Sequence, residues 1–528
     1  MVAFEHALIL LLLIASLSVV GRWLPWPPLI TYLLGGVGAA LLPVFPRLKL
    51  DPGFFFLCFL PPLLFSDGWL MPLREFVRAR RAILTLAIGL VAWWLVPGLP
   101  LAMALALGAI VSPTDAVAVN AITERLKVPA RLSTVLNGES LMNDATGLVG
   151  FKFALAAVVA GGFSLGRMAA EFSFLAVGGF LLGLAVGYAV GRLRDLLVRL
   201  RGSDPMIETT LSLMTPYAAY LAAELAGVSG VLAVVAAGLY SGWRDPVRMD
   251  VETRQGAFAV WSLLLFWLNG IAFVLLGLQF PSLLAAVHGH YTAAQLTGFT
   301  VAVAGAAIIA RLVWVYSSVY LTYLVTGICS REARSSSVLV FGWAGMRGTV
   351  TLAGALSIPL LLPDGSPFPG RDIVIFLSFG VIAVTLLVQG TTLEQLIQRL
   401  GLREDDTRAQ EERLARTRAV EAGLLALRAL EAGTATADHE AALGQVIAEY
   451  EHRLAALTAE GETRTSARRR RHAGHHYRSA ALQAERHTVD QLWRSGRIAD
   501  DVHRPLQQLL DHEEAMLRAS PTAAEEAG

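Results

Sequence analysis

Apolar residues along this chain gather into runs of about 18–25 residues, each closed by a short polar stretch. The runs cover 4–20, 28–45, 53–71, 82–97, 100–121, 132–160, 169–191, 206–225, 228–242, 256–280, 294–325, 337–361 and 372–394. One such run alone reads as a buried core helix. A long series at this spacing reads as membrane helices, about thirteen of them. The division at Gly227 is the weakest. The pattern ends near residue 400, so 1–400 is read as a transmembrane domain and 401–528 as a separate polar, helical tail. Within the tail, Glu411–Ala432 and His439–Leu457 have the pattern of amphipathic helices.

Composition agrees with that division. The 528 residues are 55% hydrophobic and 16% charged, against roughly 25% charged in a soluble protein. A formal net charge of +1 gives no global field toward nucleic acid. Two cysteines, Cys58 and Cys329, do not make a disulfide framework. No basic residue precedes the run from His6 to Val20, and Arg22 follows it, so it is read as the first membrane helix rather than a cleaved signal.

Loop charge then sets the orientation. One set of alternate loops holds Arg22; Arg74, Arg78, Arg80, Arg81; Arg125, Lys127, Arg131; Arg192, Arg194, Arg199, Arg201; Arg244, Arg248, Arg254; and Arg331, Arg334. The other holds only Arg47, Lys49, Arg167 and Arg371. The positive-inside bias places the first set and the tail in the cytoplasm, and the odd span count leaves the N-terminus outside. The tail also carries eight of the eleven histidines and a basic run, Arg468 to Arg471, followed by His472, His475 and His476. It reads as a solvated appendage, with a pH-sensing or membrane-surface role as the alternative.

A charge at the bilayer centre costs at least ~2.5–3.5 kcal/mol, so the ionisable residues inside the runs are the candidates for function. They are Asp67, Asp115, Glu139, Asp144, Lys152, Glu224, Arg311 and Arg347. In the fifth span, Ser112-Pro113-Thr114-Asp115 predicts a helix break, because proline removes a hydrogen bond and disfavours helix at the residue before it. Asp115 would then open the second half-helix, where the dipole favours a carboxylate; a plain proline kink with a capping Asp is the alternative. The sixth span begins Asn137-Gly-Glu139-Ser140-Leu-Met-Asn143-Asp144. Spacing of four puts Glu139 with Asn143, and Ser140 with Asp144, on adjacent strips. Oxygen ligands so grouped suit a hard monovalent cation, whereas a structural polar network must pair every group.

The twelfth span reads Gly342-Trp-Ala-Gly345-Met-Arg347-Gly348, a second predicted break around a buried arginine, for which Glu139 is the expected counter-ion. The two breaks lie seven spans apart, so their helices run in opposite directions. That is the mark of an inverted repeat with its site where the breaks cross. Lys152 is read as balancing charge or snorkelling, and Arg311 and Glu224 as meeting local packing or pairing. No His-Glu-x-x-His run, nucleophile elbow or phosphate loop appears, so a transporter is expected rather than an enzyme or a nucleotide-driven pump.

Together the three motifs resemble those of the monovalent cation/proton antiporters, specifically the electroneutral sodium/proton exchanger branch. The Gly138-Glu-Ser-Leu-Met-Asn143-Asp144 string is the most specific. Phe266 to Pro281 is also similar to a span of the family, and the tail from Tyr477 to Glu514 to the tails of bacterial members. The resemblance implies two inverted repeats with crossed broken helices, a core domain moving against a dimerisation domain, and a homodimer in the cell membrane. It implies that Asp144 is the ion-binding carboxylate. Asp115, the carbonyl and hydroxyl of Thr114, and Ser140 match the other cation ligands. Asn143 matches the residue that separates this branch from electrogenic relatives, and Glu139 and Arg347 match a structural ion pair.

One departure lies in the third span. After Pro61-Pro62 the family's acidic position aligns with Ser66, and Asp67 follows it, about 100° further round the helix. The expectation is a secondary transporter that exchanges sodium or lithium for protons, one for one, by competition for Asp144, with no cofactor. A potassium/proton antiporter shares every motif. An ion channel and a membrane sensor are the alternatives of a different class.

Overall fold

The computed structural model describes residues 2–24, 26–42, 52–70, 83–126, 128, 130–160, 165–326, 335–401, 406–431, 437–458, 461–495, 497 and 500–518. They fall into two compact units, Met1–Glu404 and Asp405–Gly528. Helix dominates both, and the only β feature among the described residues is one isolated bridge, Leu361 to Pro367. Much of the loop charge used to set orientation, in 43–50, 71–82 and 327–334, lies outside the described residues.

The first unit runs α1 (Val2–Gly21), α2 (Pro28–Ala40), α3 (Pro52–Leu70), α4 (Ile83–Leu95), α5 (Leu101–Val111), α6 (Ala116–Arg125), α7 (Ala130–Ala160) and α8 (Leu165–Arg201). It continues with α9 (Pro205–Leu225), α10 (Gly230–Arg248), α11 (Val251–His288), α12 (Ala293–Thr326), α13 (Ser335–Trp343), α14 (Thr349–Leu356) and α15 (Arg371–Leu400). Five apolar helical segments are long enough to cross a bilayer by length and composition: Val135–Val159, Phe174–Arg201, Val251–His288, Ala293–Tyr320 and Arg371–Leu400. Shorter apolar helices, from Glu5–Gly21 to Leu101–Val111, precede them. The chain is a multi-pass, all-α membrane protein.

Local chemistry explains where helices begin and end. Asp204 caps α9 by accepting from the Met206 and Ile207 amides, Ser229 caps α10 through Leu232, and Asp250 caps α11 through Thr253. Gly227 takes the left-handed conformation (φ 68°) that turns α9 into α10. Pro62 in α3 cannot donate to the Cys58 carbonyl four residues back, and the Tyr217 hydroxyl donates to it instead, at 3.4 Å.

Small residues bring the helices together. Gly183 of α8 lies so near α10 that a Cβ there would come within 2.0 Å of the Ala233 carbonyl. Gly36 of α2 and Gly277 of α11 are matched in the same way, each 2.4 Å from a backbone oxygen of the other helix once a Cβ is built. Inside lipid, where the hydrophobic effect does not drive helices together, such close backbone approach supplies the association through van der Waals contact. Charged residues near the helix ends pair: Arg194 with Asp245 (3.2 Å), and Arg248 with Asp195 (3.1 Å). Lys152 and Glu224, left separate by the sequence, form a half-exposed pair at 2.7 Å.

In the second unit, α16 (Asp406–Glu431) pairs with α17 (Ala437–Thr458), and α18 (Gly461–Arg494) with α19 (Asp500–Arg518). Arg428 bridges to Glu451, and Arg486 bridges to both Asp511 and Glu514. His503 is buried, stacked on Trp493, with its Nε2 2.9 Å from Asp490 Oδ1. The side chains of Arg468 to Arg471, His472, His475 and His476 lie outside the described residues.

Candidate ion-binding site

Two helical runs are interrupted, and the interruptions meet. Helix stops at Val111 and resumes at Ala116; it stops again at Trp343 and resumes at Thr349. The Asp115 amide of the first break donates to the Met346 carbonyl of the second at 2.7 Å. In return Arg347 Nε donates to the carbonyl of Val111, the last residue of α5, at 2.7 Å. Each break therefore satisfies a backbone group that the other has freed, which a lipid surround demands. A cation at the C-terminal end of α5 also suits its dipole. Arg347 is further fixed by its own amide, which donates to Thr385 Oγ1 at 3.2 Å, and by a close contact from Nη1 to the Gly345 carbonyl.

Asp115 stands at the head of α6, where its Oδ1 accepts from the Ala118 amide at 3.4 Å. Gly348 makes room for it: a Cβ at 348 would lie 1.6 Å from Asp115 Oδ2. Across the crossing runs α7, which approaches through Gly147, whose Cβ would meet the Ala109 carbonyl and the Pro113 ring at 2.7 Å. The Ser140 hydroxyl of α7 donates directly to the Thr114 carbonyl.

These elements enclose a cavity of about 220 Å³. Asp67, Asp115 and Asp144 line it, with the oxygen-bearing residues Ser66, Thr114, Ser140, Thr349 and Thr351 and the amides Asn120 and Asn137. No basic side chain lines it among the described residues. Asp144 is 3% exposed, and its Oδ1 has no hydrogen-bond partner. Leaving a buried carboxylate uncompensated costs several kcal/mol. A hard cation or a proton relieves that cost, and carboxylate, hydroxyl and carbonyl oxygens are the donors a hard cation takes.

Of the residues expected from sequence, Asp144, Asp115, Thr114, Ser140, Ser66 and Asp67 come together here. The Ser66 hydroxyl donates within its own helix to Leu63, at 2.7 Å, so Asp67 is the third-span residue with a carboxylate to offer. Asn143 does not line the cavity; it is buried on the neighbouring strip of α7. The expected Glu139–Arg347 pair is corrected. Glu139 is held by Arg311 of α12 in a two-pronged bridge, both contacts 3.0 Å, while Arg347 serves the backbone of the breaks. Arg311 also donates to the Phe341 carbonyl at 3.2 Å, which ties α7 and α12 to the end of α13.

Sequence reasoning passed over Asn120, Asn137, Thr349 and Thr351. A signal for one was present: Asn137, Ser140 and Asp144 are spaced as i, i+3 and i+7, one stripe of a helix.

Residues 9–399 match the family described as sodium/hydrogen exchanger, transmembrane. The chain is 39% identical over 414 residues to a sodium, potassium, lithium and rubidium/H+ antiporter of Bacillus pumilus, covering 75% of this chain and 61% of the relative. The chain thus spans less than two thirds of that relative's length. It is 35% identical to the uncharacterized Na+/H+ exchanger YjcE of Escherichia coli, covering 97% of this chain and 98% of the relative. In fold it is similar to the sodium proton antiporter MjNhaP1 of Methanocaldococcus jannaschii, with a TM-score of 0.58, 18% identity, and 76% of this chain and 99% of that one covered. On the length and depth of these matches, the chain belongs to the sodium/hydrogen exchanger family.

Proposed function

We propose that this protein is a secondary active transporter that exchanges sodium or lithium for protons across the cell membrane. The observation that carries the reading is the anionic cavity at the crossing of the two helix breaks, with buried Asp144 facing Asp115, Thr114 and Ser140. Asp144 binds a cation or a proton, never both. An uncompensated carboxylate is costly to carry past apolar walls such as Leu63 and Leu265, so loaded forms cross and the empty one does not. Competition for one carboxylate thereby couples the two fluxes. Thr114 and Ser140 supply neutral oxygens, and Asp115 adds a second carboxylate to the cation's ligands.

Asn143 adds no second titrating group beside Asp144, which supports a one-for-one, electroneutral exchange. The two breaks, seven spans apart in sequence and hydrogen-bonded to each other, fit an inverted repeat in which one domain shifts around a fixed site. The functional unit is a homodimer, with the N-terminus outside and the tail in the cytoplasm.

The test is transport in inside-out vesicles carrying a proton gradient. Sodium or lithium dissipates the gradient, and Asp144→Asn abolishes the response. A full response from that variant overturns the assignment of Asp144, and a rate that scales with imposed voltage overturns electroneutrality. The Bacillus pumilus relative's name includes potassium and rubidium, which favours potassium/proton exchange as a second reading; potassium in the same vesicles separates the two.

A further inference from the structure

Several helical threonines in this protein spend their hydroxyls on their own backbone. Thr385 donates to the Val381 carbonyl at 2.8 Å, and Thr215 to Leu211 at 2.7 Å, each four residues back. Thr351 is different. It lies in the first turn of α14, so the residue four back is Arg347, inside the break, and the residue three back is Gly348, whose backbone is extended (φ −148°, ψ −143°). The Gly348 carbonyl accepts from the Leu352 amide at 3.2 Å, and Thr351 Oγ1 has no hydrogen-bond partner although the residue is only 1% exposed. Thr351 lines the same cavity as Asp115, Ser140 and Asp144.

A buried hydroxyl without a partner destabilises a fold. Valine has the same shape without that penalty, so the hydroxyl is retained at some cost to stability. We propose that the Thr351 hydroxyl is a further ligand of the transported cation, contributed by the second broken helix, and that it sets discrimination among alkali cations. This inference rests on the exchange reading above. A neutral oxygen lets the site replace one more water of the cation's hydration shell. Lithium and sodium hold their water more tightly than potassium, so they lose most when that oxygen is removed.

The experiment uses the full chain with Thr351→Val and Thr351→Ser. Apparent KM and Vmax for lithium, sodium and potassium are measured in inside-out vesicles, and melting temperature and sodium binding are measured on purified protein. The expected result for Thr351→Val is a rise in sodium and lithium KM of roughly tenfold, a smaller rise for potassium, and Vmax retained. Its melting temperature stays equal or rises, because the unsatisfied hydroxyl is gone. Thr351→Ser keeps wild-type selectivity. An unchanged KM and cation ratio in Thr351→Val overturns the proposal. So does a fall in melting temperature and Vmax at constant KM, the signature of a packing role. If the wild type itself fails to couple cation to proton, the exchange reading falls, and calorimetric sodium binding to Thr351→Val still decides the role of Thr351 as a ligand.

Discussion

Glu139 is 3% exposed, and Arg311, which holds it, is fully buried. Removing one partner of such a pair strands the other charge and costs about 3–5 kcal/mol, while replacing both with apolar residues costs far less. Arg311→Leu is therefore expected to lower the melting temperature of the purified protein sharply, and Glu139→Leu with Arg311→Leu to recover most of the loss. A double-mutant cycle should give a large coupling for 139 with 311 and a smaller one for 139 with 347; the reverse order would contradict the bridge described above. Helical spacing showed that Glu139 and Ser140 occupy different strips of α7. It could not show which of two distant arginines reaches Glu139, because side-chain arrival across 172 residues depends on packing rather than period. The Gly345 position shows how tight that packing is, since a Cβ there would lie 2.4 Å from Arg311 Cδ and 3.0 Å from Arg347 Nη1.

At the scale of the element, the broken helices are the device that places oxygens at membrane depth. Pro113 explains the first break and could be read directly from sequence. The second break has no proline; its glycines leave room for neighbouring side chains. Gly348 has an extended backbone that any residue can adopt, so its requirement is spatial: Asp115 occupies the place of its missing side chain. Gly348→Ala is expected to displace Asp115 and cut sodium-driven proton flux by about 100-fold, the scale on which small misplacements act at a reactive site. The readout is flux per protein in vesicles with equal amounts inserted. Wild-type flux in this variant would mean that the position of Asp115 is not critical. Thr351 escaped sequence reading because a threonine among apolar neighbours is unremarkable until its buried hydroxyl is seen to have no partner.

At the scale of the molecule, the hydrophobic runs of the first unit fall on described helices, the fifth and twelfth each divided by a break, because a bilayer forces every backbone group to pair within its own segment. The crossing of the two breaks was legible as an odd helix offset, and the Asp115 to Met346 hydrogen bond shows that they touch. The lining of the cavity was only partly legible. Asp144, Asp115, Thr114 and Ser140 lie in the two recognisable motifs, but Leu265 of α11 and Thr351 of α14 arrive by tertiary packing. The central claim is competition between cation and proton for Asp144, and it can be measured without transport. Calorimetric sodium titration of the purified protein, in buffers of different ionisation enthalpy, counts the protons released per sodium bound. At a pH where the sodium-free site is protonated, the account predicts about one proton per sodium, and neither binding nor release from Asp144→Asn. Sodium binding without proton release, or undiminished release from Asp144→Asn, would contradict it.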